Sequence, residues 1–173
     1  VENVNCEADD IIGVICEGTQ DFGNYEPVLI VSSDKDFVQL QKYDNINQYS
    51  PMKKKFIKED TPRRQLMELI MKGDQSDGVP NVLSNDNCFV EGIRQTPLRK
   101  NILDELIKDP KARGEEVYRN YLRNKKLIDL GETPDTVKKE IIYNYESQKP
   151  AKQNVLNYLV DKRCRLLIES VGD

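Results

Sequence analysis

Four consecutive apolar residues, Val28-Leu29-Ile30-Val31, lie between Pro27 and the polar pair Ser32-Ser33. A short continuous apolar run of this kind suits a strand buried on both faces, as in a parallel sheet flanked by helices. That single segment argues for an α/β fold. It also fixes where a ligand would sit, because in open α/β sheets ligands bind beyond the carboxyl ends of the strands. Here that end carries Asp34 and Asp36.

The neighbouring segments extend the picture. Ile11, Val14 and Ile15 recur at helical spacing within residues 7–18, and Gly18 suits the helix end. A brief helix is expected at 36–41. Residues 46–50 and 55–58 read as two short edge strands, joined through Pro51 and the run Lys53-Lys54-Lys55. Pro62 opens a helix to about Lys72, with Leu66, Leu69 and Ile70 as its apolar face. Beyond residue 73 the character shifts to loops and helices, expected at 98–108, 111–126, 134–147 and 153–170. The last carries a helical stripe through Val155, Leu156, Leu159, Val160, Cys164, Leu167 and Ile168. The expected organisation is a slice of α/β sheet over residues 1–72 and a helical region over 73–173.

Composition narrows the chemistry. No apolar run approaches the roughly 18 residues of a membrane span. The four cysteines are scattered without CxxC spacing and there is no histidine. A zinc site and a disulfide framework therefore have no support, and reduced thiols point to a cytoplasmic setting. Without histidine the usual general base is missing, so hydrolysis would rest on metals or carboxylates. Charge is unevenly spread. Residues 1–36 hold nine acids and one base, Lys35, whereas residues 37–173 hold 21 acids and 25 bases. The pattern is that of an acidic pocket needing cations beside a basic surface suited to phosphates.

The acids fall in three groups: Glu7-Ala8-Asp9-Asp10, Ser33-Asp34-Lys35-Asp36, and Gly73-Asp74-Gln75-Ser76-Asp77-Gly78. Each alone has an ordinary explanation, as helix-dipole partner, cap or turn residue. Brought into one crevice, Glu7, Asp9, Asp10, Asp34, Asp36, Asp74 and Asp77 would repel one another unless cations neutralise them. Hard oxygen ligands select magnesium or manganese over zinc. Two such ions are the known arrangement for in-line attack on phosphodiesters, a chemistry that needs no histidine.

Three motifs in order, Glu7-Ala8-Asp9-Asp10-Ile11-Ile12, Val31-Ser32-Ser33-Asp34-Lys35-Asp36-Phe37-Val38-Gln39-Leu40 and Lys72-Gly73-Asp74-Gln75-Ser76-Asp77-Gly78-Val79, resemble those of the 5′-nuclease family. That family includes the 5′-nuclease domains of bacterial DNA polymerase I, flap endonucleases and the RNase H of T-even-type phages. The segment Gln48-Tyr49-Ser50-Pro51-Met52-Lys53-Lys54-Lys55 looks most like the phage RNase H branch, as does the stretch around Ile128-Asp129 and Pro134-Asp135. The resemblance implies a PIN-like sheet and two Mg2+ or Mn2+ ions. Glu7, Asp9, Asp10 and Asp34 would serve one ion; Asp36, Asp74 and Asp77 would serve the other. It implies hydrolysis of DNA and RNA–DNA duplexes or flaps, as in primer removal during phage replication.

By the same resemblance, the stretch from Val79 onward forms a helix-three-turn-helix element that grips a duplex backbone, with Arg94, Arg99 and Lys100 near the phosphates. The glycines with which the family helps hold a monovalent cation there are not matched. Lys53, Lys54 and Lys55 are a second candidate contact, or a solvated hairpin tip. The family's opening strand with its early aspartate, a further aspartate and the basic arch have no counterpart here. The chain then resembles the carboxyl-terminal part of such an enzyme, whether a fragment, a missed start or one half of a split gene. Its expected activity alone is low, its expected partners are the missing half and a clamp or single-strand-binding protein, and the alternative is a non-catalytic DNA-binding module.

Overall fold

The computed structural model describes residue 3 and residues 6–20, 23–148 and 159–165. Helix α1 (Ala8–Gly18) begins where the first acidic group stands. Glu7 stays extended, and its N–H donates to the Asp10 carboxylate at 3.1 Å, so an acid three residues into the helix satisfies the entry. Strand β1 (Val28–Val31) pairs in parallel with β2 (Ile46–Ser50). Strand β3 (Lys55–Ile57) returns antiparallel to β2 across a tight turn. The link from β1 to β2 passes through a 3-10 helix, Asp36–Lys42, at the place of the expected brief helix.

Two expectations about the sheet need correction. β1 is covered on one face only: Ile30 is buried, while Leu29 and Val31 are 55% and 62% exposed. The register puts Leu29 opposite Asn47, and Val31 opposite Tyr49 and then Phe56, so these residues share a face that nothing among the described residues covers. An unbroken apolar run records that both faces are apolar, not that both are packed. Second, β2 is no edge strand. The order β1-β2-β3 makes it central, and its inward Gln48 and Ser50 are fully buried.

Beneath the sheet lies a core of Cys16, Ile30, Phe37, Leu40 and Ile46. A second core, Met71, Val82, Leu103 and Leu106, joins the helices α2 (Pro62–Lys72) and α3 (Lys100–Lys108). Ile70 of α2 packs with Val79 and with Ile128 of α4 (Glu115–Ile128). Helix α5 (Asp135–Ser147) lies on α1, tied by Lys138 to Glu17 at 2.8 Å. The helix expected at 111–126 starts late, at Glu115, because residues 110–113 form a turn and Gly114 holds φ at +92°. The helix expected at 153–170 falls mainly outside the described residues. Its described part is interrupted at 162–164, where Arg163 takes φ +55°.

Residues 73–99, between α2 and α3, contain turns and one isolated bridge, Asp74 to Val79, but no helix or strand. Side-chain amides hold this connection in place of a regular ladder. Asn124, on α4 and fully buried, donates to Ile70 O at 2.8 Å and Pro80 O at 2.9 Å. Asn120, one turn earlier, donates to Val82 O and Ser84 O. Asn81 donates to Thr96 O and accepts from Leu83 N and Ser84 Oγ.

Candidate metal centre

Three local devices aim the carboxylates. At the first, the extended Glu7 and the start of α1 present Glu7, Asp9 and Asp10 together. At the second, the buried Gln48 amide donates to Ser32 O at 3.0 Å and Asp34 O at 2.6 Å. This pins the backbone just past β1, and Asp34 Oδ1 then accepts Asp36 N at 3.0 Å. At the third, Gly73 turns the chain out of α2 with φ +66°, where an added Cβ would lie 2.3 Å from Val79 O. Only glycine fits that approach. Asp74 follows, and its Oδ1 accepts from Ser76 N at 3.0 Å and Ser76 Oγ at 2.5 Å.

All seven expected acids line one cavity of about 580 Å3, closed on another side by Lys126, Leu127, Ile128 and Leu130. Within it, one oxygen each of Asp9, Asp34 and Asp36 lies within 4.8 Å of the others, and the same holds for Asp36, Asp74 and Asp77. Asp36 belongs to both groups. Glu7 and Asp10 line the cavity outside these two groups; Asp10 is engaged by Glu7 N, and its Oδ1 lies 3.2 Å from the Thr133 hydroxyl. A larger hollow of about 830 Å3 near Lys42, Phe56 and Arg63 mixes bases and acids and gathers no such cluster.

The electrostatics match the geometry. Burial, then the neighbouring Asp34 charge, pushes the Asp36 carboxyl up to about 6. Burial, then Asp34, Glu7, Asp10 and Asp77, raises Asp9. Burial raises Asp74 too, but hydrogen bonds from Lys35 and Ser76 outweigh it and hold the group below its usual value. A pair of carboxylates about 5 Å apart repels by roughly 3 kcal/mol at an effective dielectric of about 20. Asp36 Oδ1 is buried without a hydrogen-bond partner. A buried, unpartnered carboxylate oxygen shared by two all-oxygen groups suits a hard divalent cation, and the donor set suits magnesium or manganese rather than zinc.

The expected phosphate contacts are on the surface. The turn through Lys53 and Lys54 joins the ends of β2 and β3 that lie at the carboxyl end of β1, the same end as Asp34. Lys53 N donates to Ser50 Oγ, which lies 2.7 Å from Ser33 Oγ, so this turn adjoins the second acidic segment. Arg94, Arg99 and Lys100 are exposed, on the irregular stretch before α3 and at its first residue. Sequence reasoning gave no role to Gln48, Thr133 or Lys35. Lys35 as the single base in an acidic segment, and Gln48 as a polar residue in a strand, were the available signals.

The family model described as T4 RNase H, C terminal, matches residues 60–173. Ribonuclease H of Enterobacteria phage T4 is 34% identical over 177 residues, covering 96% of this chain and 57% of that protein. The chain thus spans little more than half the length of that relative.

Proposed function

The chain belongs to the family of the T4 RNase H carboxyl-terminal region, and from that membership and the acidic cavity we propose that it forms the metal-binding and duplex-gripping part of a 5′-3′ nuclease. The observation that carries the reading is Asp36. Its buried oxygen has no partner, and it joins Asp9 and Asp34 to Asp74 and Asp77. Asp9, Asp34 and Asp36 would hold one divalent ion, and Asp36, Asp74 and Asp77 a second, with Glu7 and Asp10 acting from the rim. Bound there, Mg2+ or Mn2+ would activate water and neutralise charge on a phosphodiester. The substrates proposed are DNA and RNA–DNA duplexes or flaps, as in primer removal. The chain's own residues supply position: Gln48 and Gly73 fix two acidic segments, and the amides of Asn120 and Asn124 hold residues 80–84.

In this reading residues 1–72 are the carboxyl-terminal part of a PIN-like catalytic domain. Residues 73–99 and α3 play the part of a helix-three-turn-helix, with Arg94, Arg99 and Lys100 holding backbone phosphates. Lys53, Lys54 and Lys55, beside the acidic segments, are a second contact. A second reading, one half of an enzyme completed by another polypeptide, draws on the open sheet face at Leu29, Val31 and Phe56. The test is cleavage of a 5′-labelled flap and an RNA–DNA hybrid with Mg2+ or Mn2+, by the chain alone and with the remaining part of a relative. Metal-dependent 5′-phosphate products that Asp36→Asn abolishes are expected, at least in the mixture. Cleavage in neither case, with metal and duplex both bound, would leave a non-catalytic binding module.

A further inference from the structure

Lys35 stands between Asp34 and Asp36 and is the one base in residues 1–36. Its Nζ lies 2.5 Å from Asp74 Oδ2, across a gap of 39 residues in sequence. Asp74 is nearly buried, with its side chain 8% exposed, whereas the lysine side chain is 57% exposed. The other Asp74 oxygen is already engaged by Ser76 N and Oγ. Both oxygens of one member of the Asp36, Asp74 and Asp77 group are therefore occupied, one of them by an ammonium.

We propose that Lys35 is a built-in counter-ion of this carboxylate group, which a divalent cation must displace, and that the displaced ammonium then serves a substrate phosphate at the cavity mouth. The inference rests on the metal reading above. In the cation-free protein the Lys35–Asp74 pair ties the turn after α2 to the segment after β1, and offsets part of the repulsion among the acids. A divalent cation drawing on Asp74 Oδ2 would bring two positive centres against one oxygen, a contact that like-charge repulsion opposes. The lysine has somewhere to go. Its stem is flexible and largely in solvent, and its ammonium is a compact point charge with three donors, suited to a phosphate oxygen. One side chain would thus hold the cavity before the cation arrives and contact substrate afterwards.

The test is Mn2+ binding to the full 173-residue chain by calorimetry, with melting followed in parallel with and without metal. Lys35→Met should bind the weaker-held Mn2+ about 5- to 10-fold more tightly, the scale of removing one competing ion pair of about 1 kcal/mol. The same variant should melt lower than the parent without metal and gain more from it. A lysine acting only as a structural tie would lower both melting temperatures and leave the metal affinity alone. Lys126→Met, which removes a charge from the same cavity lining, serves as the field control and should change affinity less than about twofold. Unchanged or weaker binding by Lys35→Met overturns the proposal, as does an equal gain in Lys126→Met. If no version binds Mn2+, the metal reading itself falls and takes this inference with it.

Discussion

At Asp36 two effects act in the same direction. Burial and the Asp34 charge both penalise the ionised form, so the folded carboxyl keeps its proton up to about pH 6 against 3.8 in its ordinary state. Between those values the folded protein binds a proton that the unfolded chain has released. Cation-free stability should therefore fall as pH rises from about 4 to about 6 and level off above, by up to roughly 3 kcal/mol from this group, and less where solvent screens it. Removing the charge should reverse the sign. Asp36→Asn without metal at pH 7 should melt about 2–6 °C higher than the parent and lose most of the gain that millimolar Mg2+ or Mn2+ gives the parent. A thermal melt series across pH 4–8, with and without metal, checks both halves. An Asp36→Asn protein that melts lower than the parent at pH 7 and still gains fully from metal would remove Asp36 from the centre.

At the scale of elements, α4 acts as a brace. Its Asn124 amide serves two carbonyls, one at the end of α2 and one on the turn past the third acidic group. Asn124→Ala would strand the Ile70 carbonyl, leave Pro80 O with only the Arg123 guanidinium at 3.2 Å, and open a small cavity, a loss expected at about 2–4 kcal/mol in urea unfolding. Gly73→Ala should cost a comparable amount, since its Cβ would collide with backbone rather than with a side chain that can move. Both variants should also weaken metal binding, because each shifts Asp74. These elements differ in how far the chain announced them. α1 and α2 stood out through helical spacing, with Gly18 as a stop for the first and Pro62 as the start of the second. β1 stood out as a strand, but its exposed face could not be read from Val28-Leu29-Ile30-Val31, since packing depends on what lies opposite. β2 hid its central place because Gln48 and Ser50 look like solvent residues until their partners are known. The acids were visible by their grouping along the chain. Lys35 was visible only as an odd base, because its partner Asp74 is remote in sequence.

At the scale of the whole molecule, charge and apolar surface are both segregated. The acids gather at one cavity, and exposed bases stand at the Lys53–Lys54 turn and around Arg94, Arg99 and Lys100. Duplex binding should be insensitive to sequence, and replacing those last three residues should flatten its dependence on log salt by up to about 3, near 0.9 per phosphate contact. A slope unchanged in the triple variant, measured by fluorescence anisotropy from 50 to 300 mM salt, would remove that surface from the interface. The apolar segregation lies on the sheet. Leu29, Val31 and Phe56 are each more than half exposed and share a face with Tyr49, whose ring meets Phe56 edge-on at 5.4 Å. β1 also ends the sheet, so its outer backbone groups pair with no strand among the described residues. An apolar face beside a free strand edge favours association with another polypeptide, including a second copy. The chain should therefore self-associate as concentration rises, and Leu29→Lys with Phe56→Lys should suppress it. Both side chains already stand mainly in solvent, so the pair should shift unfolding free energy by no more than about 1 kcal/mol. Sedimentation velocity across a hundredfold concentration range, with circular dichroism of the variant, separates the outcomes. A folded variant that associates as strongly as the parent would place the contact elsewhere, and an unfolded one would mean that these side chains support the sheet itself.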